Sequence, residues 1–336
     1  MLKKLVCAML SCALLLSLAA CAPNTPTQPT EEECMHEYVV SETAGIFADK
    51  QKISTCTLCG HTESQTLAPA TKSIKILAIG NSFSHNTSAF MYELCKNAGA
   101  EEIVIACMWI GGASLNTHEI CIKNKTAQYE YRKNTGDGFV ESKGLTYVDG
   151  LQDEKWDFIF INQQSYQAGI WPTFGKSMDL ICATIRANVP ATCKLYWLMT
   201  WGYDADCQTN RDVFESQYDC STEKMYEAIR DVAHDHVMPT GYFDGLIPAG
   251  TAMQNLRTSW SKDLVTSDGY HASIHGCVTL ALTALAAMTD IDVASVTYTP
   301  LLSDPGVKAL LEIAKEAAIN AVGSPKEPTQ SAFTQM

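Results

Sequence analysis

The apolar positions of this chain change period along its length. Ser73-Ile-Lys-Ile-Leu-Ala-Ile-Gly80 is a short apolar run closed by glycine, the pattern of a buried strand. Residues Ala89 to Ala98 repeat at helical spacing, and Glu102-Ile-Val-Ile-Ala-Cys-Met-Trp109 is a second strand. A third strand is Trp156-Asp-Phe-Ile-Phe-Ile161, followed by a helix over roughly 174 to 188 and a fourth strand from Cys193 to Thr200. A helix from about Ser221 to Asp235, a weaker fifth strand over Gly241 to Ile247, and helices near 275 to 288 and 304 to 321 complete the alternation. Between the second and third strands, Tyr129, Tyr131, Asn134-Thr-Gly-Asp-Gly138 and Phe139-Val140 read as a hairpin insertion with a tight turn. Strands alternating with helices pair in parallel and take helices on both faces. The expected main domain, residues 72–323, is therefore a three-layer α/β/α unit with an essentially parallel five-stranded sheet.

The chain start follows another pattern. Lys3 and Lys4 precede an apolar run from Leu5 to Leu16, shorter than the ~20 residues a bilayer span needs. A basic start, an apolar middle and small residues before a cleavage point predict a secretory signal over residues 1–20. Cys21, directly after Leu18-Ala19-Ala20, resembles the cysteine of a bacterial lipobox. That resemblance implies an exported lipoprotein of the cell surface or envelope, held to the membrane through lipidated Cys21; an ordinary signal peptide is the alternative. Residues 21–33 carry three prolines among polar residues and predict a solvated tether, and residues 324–336 are expected to be a disordered tail. The formal net charge of −13 excludes nucleic acid as a partner, because phosphate binding needs a basic footprint.

Cysteine usage separates a small module from the main domain. Residues 34–70 hold Cys34-Met-His36 and Cys56-Thr-Leu-Cys59-Gly-His61. Two closely spaced Cys/His pairs suit tetrahedral zinc, and a unit this short needs a staple because it buries little surface. The segment resembles zinc-ribbon-like modules, which implies a closed structural zinc site made by Cys34, His36, Cys56 and Cys59, with His61 a weaker ligand; a disulfide from Cys34 to Cys56 or Cys59 is the alternative. In the main domain most cysteines sit in apolar runs and read as packing. Cys207 and Cys220 flank a polar loop and could pair in an oxidising compartment.

Chemistry is expected where a parallel sheet binds ligands, outside the carboxyl ends of its strands. Ser82 follows the first strand in Gly80-Asn81-Ser82-Phe83-Ser84, just before a helix. There a serine can face substrate while backbone N–H groups receive an oxyanion, although a serine in that place is also an ordinary helix cap. Ser267-Asp268-Gly269-Tyr270-His271 supplies from one loop a base and the carboxylate that orients it.

These blocks together resemble the SGNH/GDSL hydrolase superfamily: Gly80-Asn81-Ser82, then Gly111-Gly112-Ala113-Ser114, then Asn162-Gln163-Gln164 after Trp156-Asp157, and finally Asp268 to His271, in order over residues 73–323. The resemblance implies a flavodoxin-like fold and a Ser82–His271–Asp268 triad. It implies an oxyanion hole from the backbone of Ser82 and of Gly112 (or Gly111), completed by a side-chain amide of Asn162 or Gln163. Two departures stand out: Gly-Asn-Ser replaces Gly-Asp-Ser, and Asn-Gln-Gln replaces the usual Gly-x-Asn-Asp. The implied activity is ester hydrolysis needing no cofactor, on a small acyl group such as acetyl on a carbohydrate. A non-catalytic glycan-binding lipoprotein on the same fold is the alternative.

His85 and His118 are weaker substrate-lining candidates, as is Trp201, which with Trp171 and Tyr203 could either stack on a sugar ring or pack in the core. His234-Asp235-His236 reads as a solvated helix end, and His275 lacks further matched ligands.

Overall fold

The computed structural model describes residues 34–43, 46–259, 264–300 and 307–332. The signal over residues 1–20, the lipidation site Cys21 and the tether to residue 33 lie outside them.

The described residues form two compact units, one of 34–43 with 51–65 and one of 46–50 with 66–332. The first carries most of a three-stranded sheet, in the order β1 (Tyr38–Glu42), β2 (Lys50–Cys56) and β3 (Thr62–Ala68). β1 and β2 are antiparallel, with Tyr38 opposite Cys56 and Glu42 opposite Lys52. β1 and β3 are exposed along their whole length, whereas Cys56 is buried, so this unit has almost no apolar core.

The second unit is built on one seven-stranded sheet: β4 (Ser73–Gly80), β5 (Glu102–Trp109), β6 (Tyr129–Asn134), β7 (Phe139–Leu145), β8 (Phe158–Ile161), β9 (Lys194–Leu198) and β10 (Gly245–Ile247), ordered β10-β9-β8-β4-β5-β6-β7. Strands β10 through β5 are mutually parallel, and their apolar residues are buried in near-continuous runs such as Ile76-Leu77-Ala78-Ile79. The five strands expected as a parallel sheet are therefore present, but the sheet is larger and mixed. The hairpin read as an insertion extends it, β6 pairing antiparallel to β5 with Ile105 opposite Asn134 and Trp109 opposite Glu130. The free edge of β5 offers unpaired backbone groups, and Tyr129 and Tyr131 gain burial by covering it.

The helices are α1 (Ser82–Ser88), α2 (Met91–Asn97), α3 (Leu115–Asn124), α4 (Tyr147–Gln152), α5 (Ser177–Asn188), α6 (Arg211–Tyr218), α7 (Thr222–Val232), α8 (Ala249–Arg257), α9 (Ile274–Met288) and α10 (Val307–Gly323). α1, α2, α8, α9 and α10 pack together, and α3, α4 and α5 form a separate group, as in a sheet covered on both faces. Asp290 receives the backbone N–H groups of Ile46, Phe47 and Ala48 at 2.7, 3.1 and 3.0 Å, which fixes the segment entering this unit.

The chain end differs from the expected disordered tail. Residues 324–332 lie against α8 and α10: Thr329 N–H donates to Asn255 Oδ1 at 2.7 Å, Ser331 N–H to Thr258 Oγ1 at 3.0 Å, and Ala332 N–H to Glu316 at 2.8 Å. Polar side chains of both helices satisfy its backbone, a match invisible in its own composition. Residues 333–336 are outside the described residues.

Candidate active site

β4 ends at Gly80, and the next residue, Asn81, caps α1: its Oδ1 accepts the Phe83 N–H at 3.0 Å. The cap is thus the asparagine and not the serine. Ser82 opens the helix with an N–H that has no intrahelical acceptor, and its hydroxyl has no hydrogen-bond partner among the described residues. Asn81 Nδ2 donates to the carbonyls of Ala113 (3.0 Å) and Gln163 (3.3 Å), so one side chain ties together the loops after β4, β5 and β8.

Asn162 completes that knot. It is fully buried, donates through Nδ2 to Asn81 Oδ1 (3.1 Å) and to the Gln163 carbonyl (2.8 Å), and accepts the Ser84 hydroxyl. A Cβ on Gly80 would lie 2.4 Å from Asn162 Oδ1, so only glycine lets the amide approach. Gln163 is also fully buried. Its Oε1 accepts the N–H groups of Leu115 and Gln164, both at 2.9 Å, and its Nε2 faces Thr173. The two amides expected to aim at an oxyanion are instead committed to the scaffold.

Opposite Ser82, the loop from Val265 to Ala272 closes on itself through a bridge between those residues and the Thr266 N–H donating to the His271 carbonyl at 2.7 Å. His271 Nδ1 pairs with Asp268 Oδ2 at 2.7 Å. Asp268 Oδ1 accepts the N–H groups of Tyr270 and His271, each at 3.0 Å, and the Thr266 hydroxyl at 2.8 Å. Burial alone would raise the Asp268 carboxyl, but these donors outweigh it and hold it at about 2, so it is ionised at neutral pH. The loop is clasped from outside: Cys207 Sγ contacts the Asp268 carbonyl at 3.3 Å, and the Asp204 N–H donates to the Gly269 carbonyl at 2.8 Å. Gly269 has φ +82° and would set a Cβ 2.9 Å from that of Cys207, so no larger residue fits. Cys207 and Cys220, weighed as a disulfide, are separate thiols.

Ser82 and His271 line one cleft of ≈ 630 Å³, together with Asn81, His85, Asn86, Trp109, Gly111, Gly112, Gln164, Ser165, Thr209, Asn210 and Tyr270. No hydrogen bond joins Ser82 to His271, a looseness common before substrate binds. The cleft contains no lysine, arginine or carboxylate side chain among its lining residues. His85 belongs to it, its ring 5.0 Å from that of Trp109. Burial first, then the positive charge of Arg132 and the proximity of His271, lowers His85 to about 4, so it is neutral at pH 7.

His118 and Trp201 lie elsewhere. His118 is buried in α3 against Tyr129, with Nδ1 2.7 Å from the tyrosine hydroxyl. Trp201 is 1% exposed, stacks on Phe83 at 4.1 Å, and donates Nε1–H to the Tyr270 carbonyl at 2.9 Å. It buttresses the histidine loop from beneath and does not line the cleft. Trp109, Gln164, Asn86 and Tyr270 line it without having been singled out. Gln164 belongs to the Asn162-Gln163-Gln164 run, but nothing in the sequence says which of three adjacent amides turns outward.

In the small unit, the ligand atoms of Cys34, His36, Cys56 and Cys59 all lie within 4.8 Å of one another. Cys34 Sγ is 3.6 Å from Cys56 Sγ, and Cys59 Sγ is 3.3 Å from His36 Nδ1. Tetrahedral zinc with bonds of ~2.0–2.3 Å spaces its ligand atoms by ~3.5–3.8 Å, so the donor set fits. The sulfur separation is far beyond the ~2.05 Å of a disulfide, and the thiols are free. Such an ion would supply folding energy to a unit that buries little else. His61 stands beside His36, with ring centroids 5.0 Å apart, outside the four.

Residues 75–321 match the family described as a domain of unknown function, DUF4886. A crystal structure of a DUF4886 family protein from Bacteroides uniformis ATCC 8492 is 35% identical, with TM-score 0.70, covering 77% of this chain and 98% of that one. A protein from Slackia heliotrinireducens, provisionally described as an SGNH hydrolase, is 23% identical with TM-score 0.43, covering 64% of this chain and 99% of that one. No curated protein matches the sequence.

Proposed function

The chain belongs to the DUF4886 family, and from its cleft we propose that it is a serine esterase with Ser82 as nucleophile, His271 as base and Asp268 as the group that orients it. The observation that carries this reading is the convergence on one cleft of a serine that opens a helix without capping it and a histidine backed by an ionised carboxylate. A structural serine would be expected to cap the helix, and here Asn81 does so.

In the proposed reaction His271 takes the hydroxyl proton as Ser82 Oγ attacks the ester carbonyl carbon. The carbonyl π electrons move to oxygen, which the N–H groups of Ser82 and Gly112 stabilise. Collapse breaks the bond to the alcohol, which leaves with the proton from His271. Water, deprotonated by His271, then attacks the acyl-serine, and the acid departs as Ser82 regains its proton. Asp268 stays ionised throughout and holds the imidazole in the tautomer that presents Nε2 to Ser82.

The substrate class proposed is a small acyl ester, such as acetyl, on an uncharged carbohydrate. Side-chain amides, hydroxyls and the rings of Trp109 and Tyr270 with no fixed charge support it. Export and anchoring through Cys21 belong to the same proposal and rest on the chain start alone.

The test is p-nitrophenyl acetate hydrolysis by the protein lacking residues 1–20, beside Ser82→Ala. Turnover that falls at least about 10³-fold in the variant is expected. A folded wild-type protein that neither turns over the ester nor is labelled by a fluorophosphonate at Ser82 would overturn the reading in favour of a glycan-binding protein.

A further inference from the structure

An oxyanion hole made only of two backbone N–H groups lacks the side-chain donor that such sites often add. Asn162 and Gln163 do not supply it: both are fully buried, and their amide groups are engaged by Asn81, Ser84, Leu115, Thr173 and the backbone between them. Asn81 is spent on the Ala113 and Gln163 carbonyls. Asn86 Oδ1 accepts the Ala272 N–H at 3.2 Å and so holds the histidine loop in place.

Gln164 differs from all of these. It lines the cleft with Ser82 and Gly112, and its side-chain amide has no hydrogen-bond partner among the described residues. A Cβ built on Gly112 would lie 3.7 Å from Gln164 Nε2, so the amide nitrogen stands beside the glycine whose N–H is assigned to the oxyanion. Gly112 has φ +63°, a left-handed conformation natural to glycine, and its missing side chain leaves that approach open. The Gln164 backbone is fixed at both ends of its peptide unit: its N–H donates to Gln163 Oε1 at 2.9 Å, and its carbonyl accepts the Gln167 N–H at 3.0 Å. Gln163 thus aims its neighbour.

We infer that Gln164 Nε2 is the third oxyanion donor of this site, two residues along the chain from Asn162, the first residue after β8. This rests on the esterase reading. The reaction gains no new step: Nε2–H donates to the carbonyl oxygen as it becomes negative and releases it when the tetrahedral intermediate collapses.

The experiment measures kcat and KM for p-nitrophenyl acetate, with the urea midpoint of each protein, for wild type, Gln164→Ala and Gln164→Glu. Expected for Gln164→Ala is a kcat lower by about 10²-fold, with KM within about 3-fold and the midpoint unmoved, because the amide bonds nothing in the ground state. Gln164→Glu, which sets a carboxylate beside the developing oxyanion, is expected to be slower still near neutral pH than Gln164→Ala. If wild type turns over and Gln164→Ala keeps kcat within 3-fold, the assignment of Gln164 is overturned while the esterase reading stands. If wild type is inert, both fall together. A lost kcat with a collapsed midpoint in both variants would make Gln164 structural and equally overturn it.

Discussion

His118 lies buried in α3 with Nδ1 on the Tyr129 hydroxyl and, among the described residues, no hydrogen-bond partner for Nε2. Burial lowers it to about 4, against the ~6.5 of a free histidine. Above pH ~6.5 the ring is neutral in both folded and unfolded states and contributes no pH dependence. Between about 6.5 and 4 the unfolded chain binds a proton that the folded chain refuses, so stability falls as pH falls. From pH 7 to pH 5 this one residue should remove roughly 2 kcal/mol, and urea unfolding of His118→Gln should show a dependence shallower by that amount. An equal dependence in wild type and variant would show that His118 does not refuse the proton. Asp268 acts over a different range: held at about 2, it contributes stability above the ~3.9 of an unfolded aspartate, lost as pH falls toward 2. At this scale the sequence shows which groups can titrate, but not the burial and donors that displace them.

Among the elements, α1 matters most, because a helix of only seven residues carries the proposed nucleophile, Ser82. Its start depends on Asn81, which caps the helix and bridges the loops after β5 and β8. Replacing it by alanine removes the cap, takes one of two acceptors from the Asn162 amide and leaves the Ala113 carbonyl without its Asn81 donor. Asn81→Ala is therefore expected to cost about 2–4 kcal/mol by denaturant midpoint and to lower ester turnover in the folded fraction. A variant as stable as wild type would mean that the knot is not cooperative. Strand runs and most helices were legible from their periods. The hairpin's place was not: its pattern shows two strands and a turn, while membership of the sheet depends on the open edge of β5.

For the whole molecule, the division into two units separates two chemistries. All residues lining the cleft belong to the larger unit, and all four candidate Cys/His ligands to the smaller. The full chain should bind one zinc ion by elemental analysis, and Cys56→Ser should abolish the binding. Ester turnover should change by less than about 2-fold on chelation. Zinc retained in Cys56→Ser would refute the ligand set, and turnover lost on chelation would tie the ion to the cleft.

The sequence by itself determined the local periods, the glycines at strand ends, and the candidate Ser82, Asp268 and His271, because these depend on neighbours along the chain. It also placed four metal-type ligands in two short clusters. Only the tertiary structure decided which side chains are free to act. Asn162, Gln163 and Gln164 are adjacent amides of similar chemistry, and Trp109 ends β5 as Trp201 follows the end of β9. What separates them is whether packing has already claimed their hydrogen bonds and their surface, and that is settled by residues 48 to 81 positions away: Asn81 and Ser84 for Asn162, Leu115 for Gln163, Tyr270 for Trp201.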